Sequence, residues 1–231
     1  MAEGRRGARA AIFDLDGLLI DSEPIWRRVE VAAFAAEGVA LTDAMCATTM
    51  GWRLDAVVDH WARRFDLTGA ARERLSRGIV DGMVAEVAAT GEAMPGAAAA
   101  VERFHRRGFL IGVCSSSPPP VIEAALGRLA LPVPVAVAHS AFDEAHGKPH
   151  PACYLTTAAR LEVEPSTCVA LEDSPAGAIA AAAARMAVVA VPDPSFHAPE
   201  VFAFCDAVVG RLDDVDHDLV DRFVARTAGA G

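Results

Sequence analysis

Short runs of β-branched and small apolar residues recur along the chain with helical segments between them: AAIFDLD at 10–16, FLIGVCS at 109–115, VPVAVAHS at 133–140, TCVALED at 167–173 and AVVAVP at 187–192. Runs that are apolar on both faces belong to buried strands of a parallel sheet, because a half-exposed strand would alternate with polar residues. The intervening helices must then cover both faces. The sequence thus predicts an α/β fold with a doubly wound, Rossmann-like parallel sheet core. A hydrophobic content of 53% over 231 residues is ample for such an interior.

About ninety residues separate the first two runs, far more than one crossover helix needs. The segments PIWRRVEVAAFAAEG, LDAVVDHWARRF and AARERLSRGIVDGMVAEVAA within them read as helices, and no strand-like run interrupts them. The expected organisation is an α/β core of residues 1–21 and 92–231 with an inserted all-helical cap at 22–91, hinged near Leu19 to Glu23 and Gly91 to Pro95. In the core, Pro95 and Gly96 open a helix that stops at Gly108. Ser117 is expected to cap the next helix, with Pro118 at its first position. The alanines of AIAAAAARM at 178–186 suit a helix lying close on a sheet.

A net charge of −10 offers no basic field for a nucleic-acid backbone or an anionic membrane surface, so neither partner is expected. Five cysteines without a C-x-x-C pair or zinc-ligand spacing fit a reducing cytoplasm. The opening MAEGRRGARA has a basic start like that of a signal peptide, but Asp14 and Asp16 cut its apolar stretch at once. No segment reaches the roughly 18 unbroken apolar residues of a membrane helix. Nothing demands more than a monomer.

In doubly wound sheets, ligands bind beyond the carboxyl ends of the strands. FDLDG, CSSS and LEDS stand at those ends, and GKPHP follows the third run. A D-x-D pair alone is a weak signal, but Asp14 directly follows a buried strand, where an acid is costly without a compensating cation or hydrogen bonds. Of the 21 basic residues, only Lys148 is a lysine. A lysine that survives an arginine bias marks a place where a compact point charge is needed and a planar guanidinium will not serve.

These motifs, in this order and on these strand ends, resemble the haloacid dehalogenase superfamily of phosphohydrolases, whose four motifs correspond to FDLDG, Ser115, Lys148 and LEDS. The resemblance covers nearly the whole chain. Within the superfamily it points to the helical-cap subgroup. AAIFDLDGLLIDSEPIW, MGWRLDAVVDHW and STCVALEDSPAG resemble bacterial hexitol and 2-deoxyglucose-6-phosphate phosphatases, alongside β-phosphoglucomutase-like proteins. The implied activity is a Mg²⁺-dependent phosphatase acting on small phosphate esters, sugar or polyol phosphates among them.

Each residue then has an expected role. An anionic nucleophile can approach a dianionic phosphate only after charge is neutralised. Asp14, Asp173 and the Asp16 backbone carbonyl are the expected Mg²⁺ ligands, with Glu172 ligating directly or through water. Asp14 attacks in line to give an aspartyl phosphate, and Asp16 protonates the leaving group and later takes a proton from water. Lys148 and Ser115, helped by the backbone amides of Ser116 and Ser117, hold the phosphoryl oxygens. Glu23, Trp26 and Arg53 are substrate-specificity candidates, each set against a plain packing or helix-start role. Ser174 reads as a helix cap and Cys114 as a buried packing residue.

Relatives with other chemistries fit less well. Dehalogenases and phosphonate-cleaving members generally lack the second acid supplied by Asp16, and the latter also need a cap lysine that is absent here. Mutases resembling this chain carry a cap histidine where a gapless alignment from Asp14 puts Trp26. A non-catalytic binding or regulatory module would not need all four motifs intact.

Overall fold

The computed structural model describes residues 8–228. The signal-peptide-like opening therefore falls mostly outside the described residues. Those residues form a six-stranded parallel sheet in the order β3-β2-β1-β4-β5-β6. The strands are β1 (Ala10–Phe13), β2 (Leu110–Ser115), β3 (Val137–Ser140), β4 (Cys168–Glu172), β5 (Ala187–Ala190) and β6 (Ala207–Val208). The five longer strands fall inside the five apolar runs. The sixth has two residues and a half-exposed pattern, too short to register as a periodic run.

Alternation along the strands sends Ala11, Phe13, Val113, Val169 and Leu171 to one face and Ala10, Ile12, Cys114, Cys168 and Ala170 to the other. The first face is covered by α5 (Ala97–Arg106), α6 (Pro119–Leu129) and α9 (His217–Ala228), the second by α7 (Ala152–Arg160) and α8 (Pro175–Ala183). In α8 the small side chains of Ala178, Ala180 and Ala181 are fully buried, so its backbone lies close to the sheet. A Cβ on Gly177 would overlap the Glu172 carboxylate at the end of β4.

Between β1 and α5 the chain forms α1 (Glu23–Ala36), α2 (Asp43–Ala47), α3 (Leu54–Arg64) and α4 (Gly69–Thr90). The short α2, capped by the Thr42 side chain, has too few residues to show a helical period in the sequence. Where this helical segment leaves and rejoins the sheet, its two strands of chain pair: Asp21 N–H donates to the Glu92 carbonyl at 2.9 Å and Met94 N–H to the Leu19 carbonyl at 2.9 Å. Those contacts lie within the expected hinges.

One helix start differs from expectation. The helix α6 begins at Pro119 with Pro118 as its cap residue, and no side chain caps it. Ser117 is not the cap because its hydroxyl is turned toward Asp16 instead.

Gly177→Ala is expected to destabilise the fold by about 1–3 kcal/mol, the usual cost of overpacking a closed interior. Urea unfolding measures it, and an unchanged midpoint would show that α8 does not lie against Glu172 in this way.

Candidate active site

The strand order reverses direction between β1 and β4, which makes their carboxyl ends the switch point of the sheet, where a crevice opens. Asp14 follows β1 and extends its ladder, its N–H donating to the Leu171 carbonyl at 3.0 Å. Glu172 and Asp173 end the neighbouring β4. One carboxylate oxygen from each of these three residues lies within 4.8 Å of the others.

Lys148 joins this group from the loop before α7. Its ammonium donates to Asp14 Oδ1 at 2.6 Å, to Glu172 Oε1 at 2.5 Å and to the Cys114 carbonyl at 3.0 Å. All three of its N–H bonds are thereby used. Tyr154 Oη donates to the same Glu172 oxygen at 2.6 Å, and Ser174 Oγ donates to Glu172 Oε2 at 3.1 Å. Ser174 Oγ also accepts from Gly177 N–H at 3.1 Å, so it is the helix cap the sequence suggests. Glu172 is fully buried, and both its oxygens are held by protein donors.

Three acids against one ammonium leave excess negative charge in a buried place. Burial pushes the Asp14 carboxyl up to about 8; Lys148 opposes that rise, while Glu172 and Asp16 add to it. Burial also pushes Asp173 well above the usual carboxylate range, with Asp14 and Glu172 reinforcing it. For Lys148 burial works against the charge, yet Asp14 and Glu172 hold it well above its ordinary value. This donor set fits a hard divalent cation such as Mg²⁺, which takes carboxylate oxygens and would neutralise the surplus. Asp14 and Asp173 are best suited to hold it, since the Glu172 oxygens already have partners.

Asp16 faces a different environment. Ser22 Oγ (2.6 Å) and Trp26 Nε1 (3.0 Å) donate to its Oδ1, while Ser115 Oγ (3.0 Å) and Ser117 Oγ (2.7 Å) donate to its Oδ2. Two donors come from the helical segment and two from the sheet. Ser22 is the cap residue of α1 and Ser117 precedes that of α6, yet neither side chain caps its helix. Their role at Asp16 is invisible to a sequence reading, which takes Ser117 for a cap and gives Ser22 no part. Ser115 was expected on a phosphoryl oxygen; here its hydroxyl is on Asp16 and accepts from Ser117 N–H at 2.9 Å. Ser116 lines the small cavity that also contains Asp14, Asp16, Glu23, Lys148 and Asp173.

The cap candidates separate. Trp26 and Glu23 line the chamber beside Asp16. Burial, reinforced by Asp16, pushes Glu23 up to about 7. Arg53 is engaged elsewhere: its guanidinium donates to the carbonyls of Ala141 at 3.0 Å and Glu144 at 2.8 Å, pairs with Asp55, and lies over the Phe142 ring. It clasps the helical segment to the loop that leads to Lys148. Cys114 is fully buried, with burial and the neighbouring Cys153 thiol holding its own thiol far above the usual range, in keeping with packing.

An aspartate at a strand end, a buried lysine and an acidic pair thus meet at the switch point of a doubly wound parallel sheet. Residues 8–185 match the family model described as haloacid dehalogenase-like hydrolase, and the chain belongs to that family. It is 39% identical over 207 residues to hexitol phosphatase B of Escherichia coli (strain K12), covering 89% of this chain and 93% of that protein. It is 33% identical over 217 residues to validoxylamine A 7'-phosphate phosphatase of Streptomyces hygroscopicus subsp. limoneus, covering 90% and 95%. Among solved structures, a β-phosphoglucomutase from Clostridium difficile shares the fold with a TM-score of 0.80 at 19% identity, covering 96% of this chain and 99% of that one. The chain is a phosphoric monoester hydrolase.

Asp14 and Glu23 are held above their unfolded values, so each contributes stability that is fully present below the unfolded carboxyl range near pH 4 and is lost progressively as pH rises to the folded values of about 7 and about 8. The metal-free protein is therefore expected to lose thermal stability from about pH 4.5 to about pH 8 and to level off above that, and Mg²⁺ to recover it with a Tm gain that grows across the same interval. Calorimetry with and without Mg²⁺ checks this; a flat or rising metal-free profile would contradict it.

Proposed function

We propose that this enzyme hydrolyses monophosphate esters of sugars or polyols with Mg²⁺, by way of an aspartyl phosphate on Asp14. The observation that carries the reading is the grouping of buried Asp14, Lys148 and Glu172 with half-buried Asp173 at the switch point, and Asp16 held separately above it. Relatives named hexitol phosphatase B and validoxylamine A 7'-phosphate phosphatase support a small phosphorylated metabolite as the substrate, the first of them a hexitol ester.

A bound Mg²⁺ would supply the charge that lets a carboxylate meet a phosphate dianion. Asp14 attacks phosphorus in line. Lys148 balances the phosphoryl charge, exchanging its bond to Asp14 for one to an incoming oxygen, while Glu172, Tyr154 and Ser174 keep the ammonium in place. Ser116 contributes from the cavity wall. Asp16 must carry a proton for the first step and give it to the ester oxygen. Ser22, Ser115 and Ser117 can each reverse and accept from a protonated Asp16, whereas the Trp26 N–H cannot. In the second step Asp16 takes the proton from the attacking water.

For a mutase the phosphoryl group would return to the sugar. Trp26, an indole with no basic nitrogen, stands where the mutases' cap histidine is expected, which favours water as the acceptor. The helical segment 22–91 serves as the cap: the chamber it closes over Asp16 has a volume of about 50 Å³, enough for a few waters only, so substrate must enter with the cap swung away. Arg53 is then the clasp that holds the closed form.

Phosphate release from hexose, deoxyhexose and polyol phosphates by wild type and Asp14→Asn tests the reading. Wild type is expected to release phosphate, and Asp14→Asn to fall by about a thousandfold or more. Equal rates would sink the mechanism, and conversion of β-glucose 1-phosphate to glucose 6-phosphate without free phosphate would favour the mutase.

A further inference from the structure

Across the closed chamber from Asp16 lies an acid that the phosphoryl-transfer residues do not use. Glu23, Trp26, Arg27 and Glu30 are spaced so that one face of α1 carries all four, and all four line the chamber. Glu30 is 7% exposed and shares the wall with the apolar side chains of Leu54 and Val57. The group that meets its carboxylate is the thiol of Cys46, a weak donor. Burial pushes Glu30 up to about 7.

A carboxyl buried against one weak donor is costly, and a methionine or leucine in its place would pack this helix face at lower cost. An expense of that kind is expected where a ligand supplies the missing donors. Hydroxyl groups would do so. A second anion would not, because Glu23 and Glu30 outnumber Arg27, the one basic side chain lining the chamber, even with Asp16 carrying its proton. Arg53, the other cationic candidate for a distal anion, is engaged by Ala141, Glu144 and Asp55.

We propose that Glu30 is a specificity-determining residue which, with Glu23, accepts hydrogen bonds from the leaving group, so that the enzyme selects neutral, hydroxyl-rich leaving groups and rejects those bearing a second phosphate or a carboxylate. The inference rests on the phosphatase reading above. The cap therefore discriminates by charge as well as by shape. As it closes, hydroxyls replace the few waters in the chamber and give Glu30 the donors it lacks.

The test compares kcat/KM of wild type, Glu30→Gln and Glu30→Met on a hexitol 6-phosphate, a hexose 1,6-bisphosphate, phosphoglycolate and 4-nitrophenyl phosphate, whose leaving group has no hydroxyl to read. Wild type is expected to favour the hexitol ester over both anionic esters. In each variant the ratio of hexitol to nitrophenyl kcat/KM is expected to fall about tenfold or more, as for loss of hydrogen bonds to a charged acceptor. The preference over the anionic esters should narrow, while the thermal midpoint stays level or rises. A hexitol to nitrophenyl ratio unchanged in both variants would overturn the proposal, as would a wild-type preference for the bisphosphate or phosphoglycolate. Failure of wild type to cleave any of the four esters would bring down the phosphatase reading itself and this inference with it.

Discussion

One ammonium shared between two carboxylates beneath the edge of a parallel sheet is the constraint on which the rest depends. Lys148 reaches Asp14 and Glu172 together, and neither acid could be buried at a strand end without it. Glu172 in turn needs further donors. Tyr154 supplies one from α7, on the oxygen that Lys148 already holds, and Ser174 supplies one to the other oxygen from the start of α8. For Ser174 to reach, α8 must lie close, which is why Gly177 and the small alanines follow it. A stretch that reads as low in complexity is thus the backing of the ion cluster.

The same cluster explains the split between the two acids of FDLDG. Asp14 sits among charges and lacks enough positive partners, which suits the proposed role of a nucleophile that also holds a cation. Two residues later, Asp16 is surrounded by four uncharged donors drawn equally from the sheet and the helical segment. Its position therefore depends on the helical segment being closed, and Arg53 supports that closure from the opposite rim. In the proposed reaction, charge for the phosphoryl group would come from below and the environment of the leaving group from above.

Much of this was legible in the sequence because it follows from periodicity and strand ends. The doubly apolar runs gave five strands in place, and the motifs at their ends led to Asp14, Lys148 and Asp173, which the fold brings together. What was not legible depends on rotamer direction and on long-range partners. Ser22 and Ser117 occupy helix-start positions, and only the fold turns their hydroxyls to Asp16. Arg53 looks free until the loop carrying Ala141 and Glu144 is packed beside it. Glu30 could have been noticed seven residues after Glu23 on one helical face, yet an isolated acid in a helix gives no sign of being buried. The two-residue β6 left no period to detect.

The central claim is that Asp14 becomes covalently phosphorylated, and rapid acid quench during turnover of a cleaved ester, followed by peptide mapping, tests it most directly. A phosphoryl group that appears on Asp14 within the first turnover and decays as phosphate is released is the predicted result. Phosphate released in a first turnover with no label on Asp14, or with the label on another residue, would contradict the account.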